Sequence, residues 1–433
     1  MPAPGWTAGM LKASDNELLT RVGAATPMGE LLRRYWVPAL PSADLAGPLG
    51  APRRLSVMGQ QLVAFRGEDG LVGVLAERCA HRCASLYFGR NEVGGLRCIY
   101  HGWKYDRSGQ CVEQPTEPST SGFKDKIKIP AYPVAERAGI IWIYLGPPAD
   151  QPEFPQLEWL VVPPENVFCS VRLQQTNFVQ AIEGGIDSSH VSVLHQDARR
   201  WRGEAPTPDW DRLFDDSAPQ LDLEPTDYGM AIGACRRSGA DRYWRVTQWV
   251  MPWYTLVPRD GDRPINAHAW VPLDDTHTWT WSISYHPDRP LTRDEIEAYR
   301  SGAGIHAEEI PGSHVPVRNK GNDYLMDRLL QRVGFFSGIE GIPNQDAAVQ
   351  ESMGEIVDRS AEHLGTSDAA IVVFRRRLLR AATALRERGE PPPGLDPLTH
   401  RIRSASAVLG ADASWVEATA ALRRAGDHLY RTS

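Results

Sequence analysis

Two blocks of unlike pattern predict an α+β chain, a small all-β domain followed by a larger domain that combines an antiparallel sheet with helices. The first observation is a set of short β-rich runs, Arg54-Leu-Ser-Val-Met, Gln61-Leu-Val-Ala-Phe, Leu71-Val-Gly-Val-Leu and Gly139-Ile-Ile-Trp-Ile-Tyr-Leu, parted by turns such as Gly67-Glu-Asp-Gly70. The second is a proline-marked break at Pro147-Pro148, Pro152, Pro155 and Pro163-Pro164. The third is a later series of aromatic strands, Trp244-Arg-Val-Thr-Gln-Trp-Val, Ala267-His-Ala-Trp-Val and Trp279-Thr-Trp-Ser-Ile-Ser-Tyr, followed by helical stretches. These divide the 433 residues into N-terminal helices (1–37), a β domain (38–150) and a larger domain (151–433).

Taken in order, Ser14 with Glu17 three residues on reads as a capping box, so a helix is expected from about Ser14, with Thr26-Pro27 restarting a second that ends near Tyr35. The β runs follow. Beyond the linker, Asp274-Asp275 is the expected turn between the last two aromatic strands, and helices are expected near Asn322 to Val333, Asp346 to Arg359 and Ser367 to Arg388. The polar, proline-bearing stretch from Asp197 to Gln220 reads as a long loop or lid. Arg375-Arg376-Arg377 with Arg380, interleaved with Ile371, Phe374, Leu378 and Leu379, reads as the solvated face of an amphipathic helix.

The chemistry centres on Cys79-Ala-His81 and Cys98-Ile-Tyr-His101, sixteen residues apart. Each pair offers one thiolate and one imidazole, the division a Rieske [2Fe-2S] cluster needs, since two cysteines hold one iron and two histidines the other. A structural zinc usually pairs like ligands instead, Cys with Cys and His with His. Gly94-Gly95 allows a tight turn between the fingers, Gly102 is expected where backbone passes close to the sulfurs, and Cys83 is expected to be a buried bystander.

A second signature is Asp187-Ser-Ser-His190-Val-Ser-Val-Leu-His195. Two imidazoles and one carboxylate on one face of ferrous iron leave positions open for oxygen. The histidines are five apart, so on an ideal helix they diverge, and the helix must bend or unwind between them, with Gly184-Gly185 supplying pliant backbone. Spacing leaves the carboxylate open among Asp323, Asp327, Glu340, Asp346, Glu351 and Glu355. Asp187 is either an acceptor for a metal-bound histidine's other N–H or a helix cap.

A net charge of −7 excludes nucleic acid as a default partner. Of six cysteines, Cys111, Cys169 and Cys235 with Cys83 show no disulfide framework, which suits a reducing cytoplasm. The N-terminus lacks a basic-then-apolar leader and no stretch approaches a membrane span, so a cytoplasmic protein is expected; Met10 is an alternative start.

Cys79-Ala-His81-Arg82 and Cys98-Ile-Tyr-His101-Gly-Trp-Lys-Tyr resemble the Rieske non-haem iron oxygenases, and Thr176 to His195 resembles their iron-binding segment. Asn16-Glu-Leu-Leu-Thr-Arg-Val-Gly, Thr26-Pro-Met-Gly-Glu-Leu-Leu-Arg-Arg-Tyr-Trp, Phe88-Gly-Arg-Asn-Glu and Asp358-Arg-Ser-Ala-Glu-His-Leu-Gly are similar to the oxygenase component of the phthalate 4,5-dioxygenase group. The resemblance implies a helix-grip, START-like catalytic domain and iron held by His190, His195 and, within Asn344-Gln-Asp346, Asp346. It makes Asp187 the bridge between a Rieske histidine of one subunit, here His101, and an iron histidine of the next, and places Asn177 near the iron. It further implies a homotrimer or a hexamer of stacked trimers, with NADH electrons arriving through a separate flavin or ferredoxin-type reductase, since no dinucleotide fingerprint follows a strand here. The implied reaction uses O2 to hydroxylate an aromatic carboxylate. The acid needs a cation in an apolar pocket, and Arg245 is the first candidate, with Arg236 and the Arg199, Arg200, Arg202 group as alternates. Rival readings are an O- or N-demethylating monooxygenase with the same metals and a Rieske electron carrier without a substrate site.

Overall fold

The structure is a computed structural model that describes residues 11–118, 120–197, 208–258 and 261–430. The chain divides into two compact units, residues 32–152 and, flanking them in sequence, residues up to 31 together with those from 153 onward.

The smaller unit is built of short antiparallel strands. They are β1 (Trp36–Pro41), β2 (Arg53–Val57), β3 (Gln60–Arg66), β4 (Val72–Ala76), β5 (Arg90–Glu92), β6 (Gly95–Arg97), β7 (Lys104–Tyr105), β8 (Cys111–Glu113), β9 (Val134–Arg137) and β10 (Ile140–Tyr144). They form three sheets, β2-β3-β4, β5-β6-β7-β8 and β1-β10-β9. The alternation that made these runs legible buries Val63, Phe65 and Leu75 against Leu96, Trp103 and Tyr105, and the same core takes in Cys79 and Cys98. Gly94 and Gly95, at φ 82° and 141°, make the β5–β6 turn; a Cβ on Gly95 would lie 2.1 Å from the Tyr105 carbonyl oxygen.

The larger unit is organised on an eight-stranded sheet. Its strands are β11 (Val167–Gln174), β12 (Gln220–Pro225), β13 (Gly229–Ser238), β14 (Asp241–Val250), β15 (Tyr254–Val257), β16 (Ile265–Pro272), β17 (Thr278–Tyr285) and β18 (Ala405–Leu409). The order is β11-β17-β16-β15-β14-β13-β12, and β18 pairs with the half of β14 that β15 leaves uncovered. The three aromatic runs fall in β14, β16 and β17, with Asp274-Asp275 in the connection of the last two.

Besides helices at Arg293–Arg300 and Trp415–Ala418, the described residues include α1 (Ala13–Thr20), α2 (Pro27–Leu32), α3 (Phe178–Ile186), α4 (Val191–Leu194), α5 (Pro208–Asp215), α6 (Arg328–Arg332), α7 (Ile342–Ser352) and α8 (Ala369–Arg388). Several differ from the sequence expectation for identifiable reasons. Lys12, not Ser14, sits at the N-terminal boundary of α1, and no side chain caps it. The helix expected over Asp346 to Arg359 begins earlier, after Gly341 at φ 85° with Pro343 in its first turn, and Gly354 at φ 94° lies just beyond its end. Asp346 is therefore mid-helix. The helix expected from Asn322 gives way to a 3-10 stretch in which Asp323, Tyr324 and Leu325 are left-handed, and only α6 is α-helical. Part of the expected loop over Asp197 to Gln220 is the helix α5; Arg199, Arg200 and Arg202 lie outside the described residues.

The Arg375 run is not uniformly solvated. Arg376 and Arg380 are exposed, whereas Arg375 is buried and pairs with Glu183 of α3 at 2.6 Å. Among the described residues no helix is long and apolar enough to cross a membrane.

Candidate functional site

In the smaller unit Cys79 and His81 lie on the loop after β4, and Cys98 and His101 on the loop between β6 and β7. The two loops repeat one backbone design. Cys79 N–H donates to the Ala84 carbonyl and Cys83 N–H to the Cys79 carbonyl; Cys98 N–H donates to Trp103 and Gly102 N–H to Cys98, all at 2.8–2.9 Å. Cys83 and Gly102 hold equivalent left-handed positions, at φ 58° and 77°. Cys83 is exposed, so it is a turn residue in a conformation that favours glycine rather than a buried bystander. Gly102 is required for a different reason from the one expected: a Cβ there would meet the Pro115 ring at 2.5 Å.

Both cysteine thiols are buried, and burial pushes the Cys98 thiol up. Tyr105 Oη is 3.2 Å from Cys79 Sγ and accepts from Ala80 N–H. The His81 and His101 rings are 4.3 Å apart, His81 stacks on Trp103, and His81 Nδ1 is buried without a partner. Two buried thiols facing two adjacent imidazoles, one with an orphaned nitrogen, fit a [2Fe-2S] cluster as the group that would satisfy them.

In the larger unit α3 stops at Ile186, Asp187 ends it, and the single turn α4 stands between His190 and His195. The break therefore falls before His190 and not between the histidines, where the spacing predicted it: Leu194 N–H donates to the His190 carbonyl and His195 N–H to the Val191 carbonyl, so the turn between them stays α-helical. Gly184 and Gly185 do not create it, because both lie within α3 and serve packing. A Cβ on Gly184 would overlap Gln350 of α7 at 2.0 Å, and one on Gly185 would press on Trp270 at 3.0 Å. Closely seated α7 delivers Asp346. One ligand atom each of His190, His195 and Asp346 fall within 4.8 Å of one another, with Asp346 Oδ1 3.5 Å from His190 Nε2 and 3.1 Å from His195 Nε2.

Each imidazole is held from behind. His190 Nδ1 meets Asp187 Oδ2 at 3.2 Å, and His195 Nδ1 meets Gln345 Oε1 at 2.7 Å. Gln345 is itself fixed, its amide donating to Ser337 Oγ and the Ile339 carbonyl. Sequence reasoning missed Gln345; its one signal was adjacency to Asp346. Burial alone would lower the His190 imidazole, but Asp187 and Asp346 overcome it and push it up to about 10. Burial would raise Asp346, yet the two histidines hold it well below the carboxylate range. A trio that stabilises positive charge at its centre, with both Nε2 atoms turned inward, fits a divalent cation.

Of the other five carboxylates left open by spacing, Asp323 and Glu355 are exposed and three are engaged elsewhere. Asp327 caps α6, Glu340 pairs with Arg318, and Glu351 takes hydrogen bonds from Tyr324 Oη and Gln175 N–H. Asn177 is a correction: its carbonyl oxygen caps α3 through Val179 N–H, and its amide donates to the Thr20 and Asp275 carbonyls, so it ties α1 and the β16–β17 turn to α3 and does not line the cavity. Arg236 is another. Fully buried, it donates to the carbonyls of Ser188 and Asp216, bracing the segment that carries Asp187 and His190 rather than lining the cavity. Burial, and then Arg245, draw it down to about 10.

A cavity of about 550 Å³ opens beside the trio and includes all three of its residues. Tyr243, Arg245 and Thr247, alternate residues of β14, line it, with Trp210 and Leu213 of α5 and Trp270 of β16.

Two family models match the sequence. A Rieske [2Fe-2S] domain matches residues 35–133, and a model described as LigXa C-terminal domain like matches residues 143–428. The chain is 40% identical over 408 residues to the 3-chlorobenzoate-3,4-dioxygenase oxygenase subunit of Comamonas testosteroni, covering 89% of this chain and 92% of that protein. It is 39% identical over 419 residues to the phthalate 4,5-dioxygenase oxygenase subunit of Pseudomonas putida, with 94% of each covered. A crystal structure of dicamba monooxygenase bound to 3,6-dichlorosalicylic acid shares the fold at TM-score 0.59 and 18% identity, over 82% of this chain and 99% of that one.

Proposed function

This chain belongs to the Rieske oxygenases as the oxygenase component of an aromatic-ring oxygenase, and from that premise we propose that it cis-dihydroxylates a phthalate-like aromatic carboxylate. The observation that carries the reading is one cavity bordered both by the His190, His195 and Asp346 trio and by Arg245. When bound, the cluster held by Cys79, His81, Cys98 and His101 supplies single electrons, and ferrous iron held by the trio supplies open positions for dioxygen. Two electrons, drawn from NADH through a separate reductase, two protons and one O2 balance the conversion of an arene to a cis-dihydrodiol.

The chain's own residues do the positioning. Arg245 binds the substrate carboxylate as a charged donor in a largely apolar cavity, which orients the ring, and Arg236 adds positive potential from behind. Asp187 and Gln345 accept the Nδ1 hydrogens and so keep both Nε2 lone pairs facing the metal position. Trp210 and Leu213 exclude water from one side of the cavity.

We place Asp187 between His190 and the His101 of a neighbouring copy in a trimer or stacked trimers. Exposed apolar side chains at both ends of that junction support the reading: Ile99 and Tyr100 beside His101 are 62% and 55% exposed, and Val193 between the two iron histidines is 46% exposed.

Arg245→Ala, assayed with phthalate and a reductase, is expected to raise the apparent substrate constant about 10- to 100-fold. An unchanged constant contradicts the role given to Arg245. Formaldehyde from methoxybenzoates, with no dihydrodiol from any phthalate isomer, would replace dihydroxylation by demethylation.

A further inference from the structure

One polar residue of the cavity lining, His268, has no part in holding the metal or the carboxylate, and two buried polar groups stand behind it. Arg172 of β11, Ser282 of β17 and His268 of β16 are all buried, 3%, 1% and 8% exposed. Among the described residues Arg172 has no carboxylate within ion-pair distance, its Nε has no partner, and its Nη1 donates to Ser282 Oγ at 3.4 Å. A guanidinium buried on these terms is costly, which makes its neighbours informative.

Ser282 fixes the tautomer of His268. A hydroxyl has one hydrogen, and that of Ser282 goes to the Ile305 carbonyl at 2.9 Å. Its contact with His268 Nδ1, at 3.4 Å, therefore requires Nδ1–H as donor. Burial and then the Arg172 guanidinium draw His268 down to about 3, so the ring is neutral and Nε2 carries a lone pair. The ring borders the cavity and is braced by Trp270 at 4.7 Å. The ring also lies within hydrogen-bonding reach of the Trp281 backbone, and Nε2, which has no hydrogen bond of its own among the described residues, is an unsealed atom of a ring that lines the cavity.

A neutral acceptor repels a carboxylate and recognises an O–H or N–H. We propose that His268, set in its Nδ1–H tautomer by Ser282, is a specificity-determining residue that reads a hydrogen-bond donor on the substrate, so that the preferred aromatic acid carries a ring hydroxyl or amino group. This rests on the aromatic-acid reading above and narrows it.

The test is anaerobic equilibrium binding to the metal-loaded enzyme of two pairs, benzoate against each hydroxybenzoate isomer and phthalate against 4-hydroxyphthalate. At least one hydroxylated acid is expected to bind the wild type roughly tenfold more tightly than its parent. His268→Leu is expected to erase that advantage while leaving the parent acid's affinity unchanged, and His268→Gln, which keeps an acceptor, is expected to retain part of it. Equal binding of every pair by the wild type, or an advantage that survives in His268→Leu, overturns the proposal and leaves the aromatic-acid reading standing. If no acid of either pair binds the wild type, the aromatic-acid reading falls and this proposal with it.

Discussion

The two metal-site regions are made in opposite ways. The Rieske fingers are two short loops with one shared backbone design, each supplying its ligands three or four residues from end to end. The His190, His195 and Asp346 trio is assembled from a broken helix and a helix distant in sequence, and it exists only because α7 packs against α3 through Gly184. The fingers leave His81 Nδ1 and Trp103 Nε1 buried without partners, whereas both Nδ1 atoms of the trio have acceptors. Local chain geometry makes the first site and leans on its cluster for satisfaction. Tertiary packing makes the second, and the protein preorganises it.

The sharpest way to separate the two is to remove a ligand from one only. Cys79→Ala is expected to eliminate acid-labile sulfide and the cluster's absorption while the mononuclear iron stays; loss of both would show that the sites are not independently built. Next in size is the support of α3. Glu183 is buried between Arg359, at 3.1 Å, and Arg375, at 2.6 Å. Burial alone would raise its carboxyl, but the two guanidinium groups hold it below the ordinary glutamate range. Glu183→Ala strands the buried Arg359 and leaves Arg375 only its pair with Glu362, and is expected to cost about 3–5 kcal/mol in thermal or denaturant unfolding. Because the folded carboxyl is depressed, this contribution is complete above the ordinary glutamate range and is lost as pH falls through the lower folded value, so the wild type's margin over the variant shrinks in acid.

A smaller effect is expected behind the metal. Gln345→Leu removes the acceptor for His195 Nδ1 and is expected to weaken iron retention or turnover about 10- to 100-fold without a comparable loss of fold stability. Iron binding equal to wild type would mean that the ring needs no such support. The smallest change concerns the fingers' repeated design. Cys83→Gly relieves a left-handed non-glycine residue and is expected to stabilise the smaller unit by about 0.5–1 kcal/mol, read as a raised melting temperature. A lowered melting temperature would say that the thiol does more at that turn than occupy it.

The same contrast explains what was legible in the sequence. The fingers could be read because ligand types, spacing and turn glycines sit within one stretch. The histidines of the trio were legible for the same reason, but spacing left six carboxylates open, and only resemblance singled out Asp346. Packing decides that choice, through contacts such as Gly184 with Gln350 that carry no local signature. Gln345 was missed because an amide acceptor looks like any helix residue. The burial of Arg375 was missed because its partner, Glu183, lies on another helix, and a charge run ordinarily marks a solvated face. Arg236 illustrates the limit from the other side, since alternation in β13 cannot distinguish a cavity-lining arginine from one that braces a neighbouring carbonyl.

The central claim, two separate iron sites in one chain, is tested most directly by iron and acid-labile sulfide content with electron paramagnetic resonance after anaerobic reduction, on wild type and Asp346→Ala. The account predicts about three irons and two sulfides per chain with a Rieske-type signal, and in the variant the loss of one iron with sulfide and signal intact. One zinc and no sulfide, or sulfide lost together with the Asp346 iron, would contradict it.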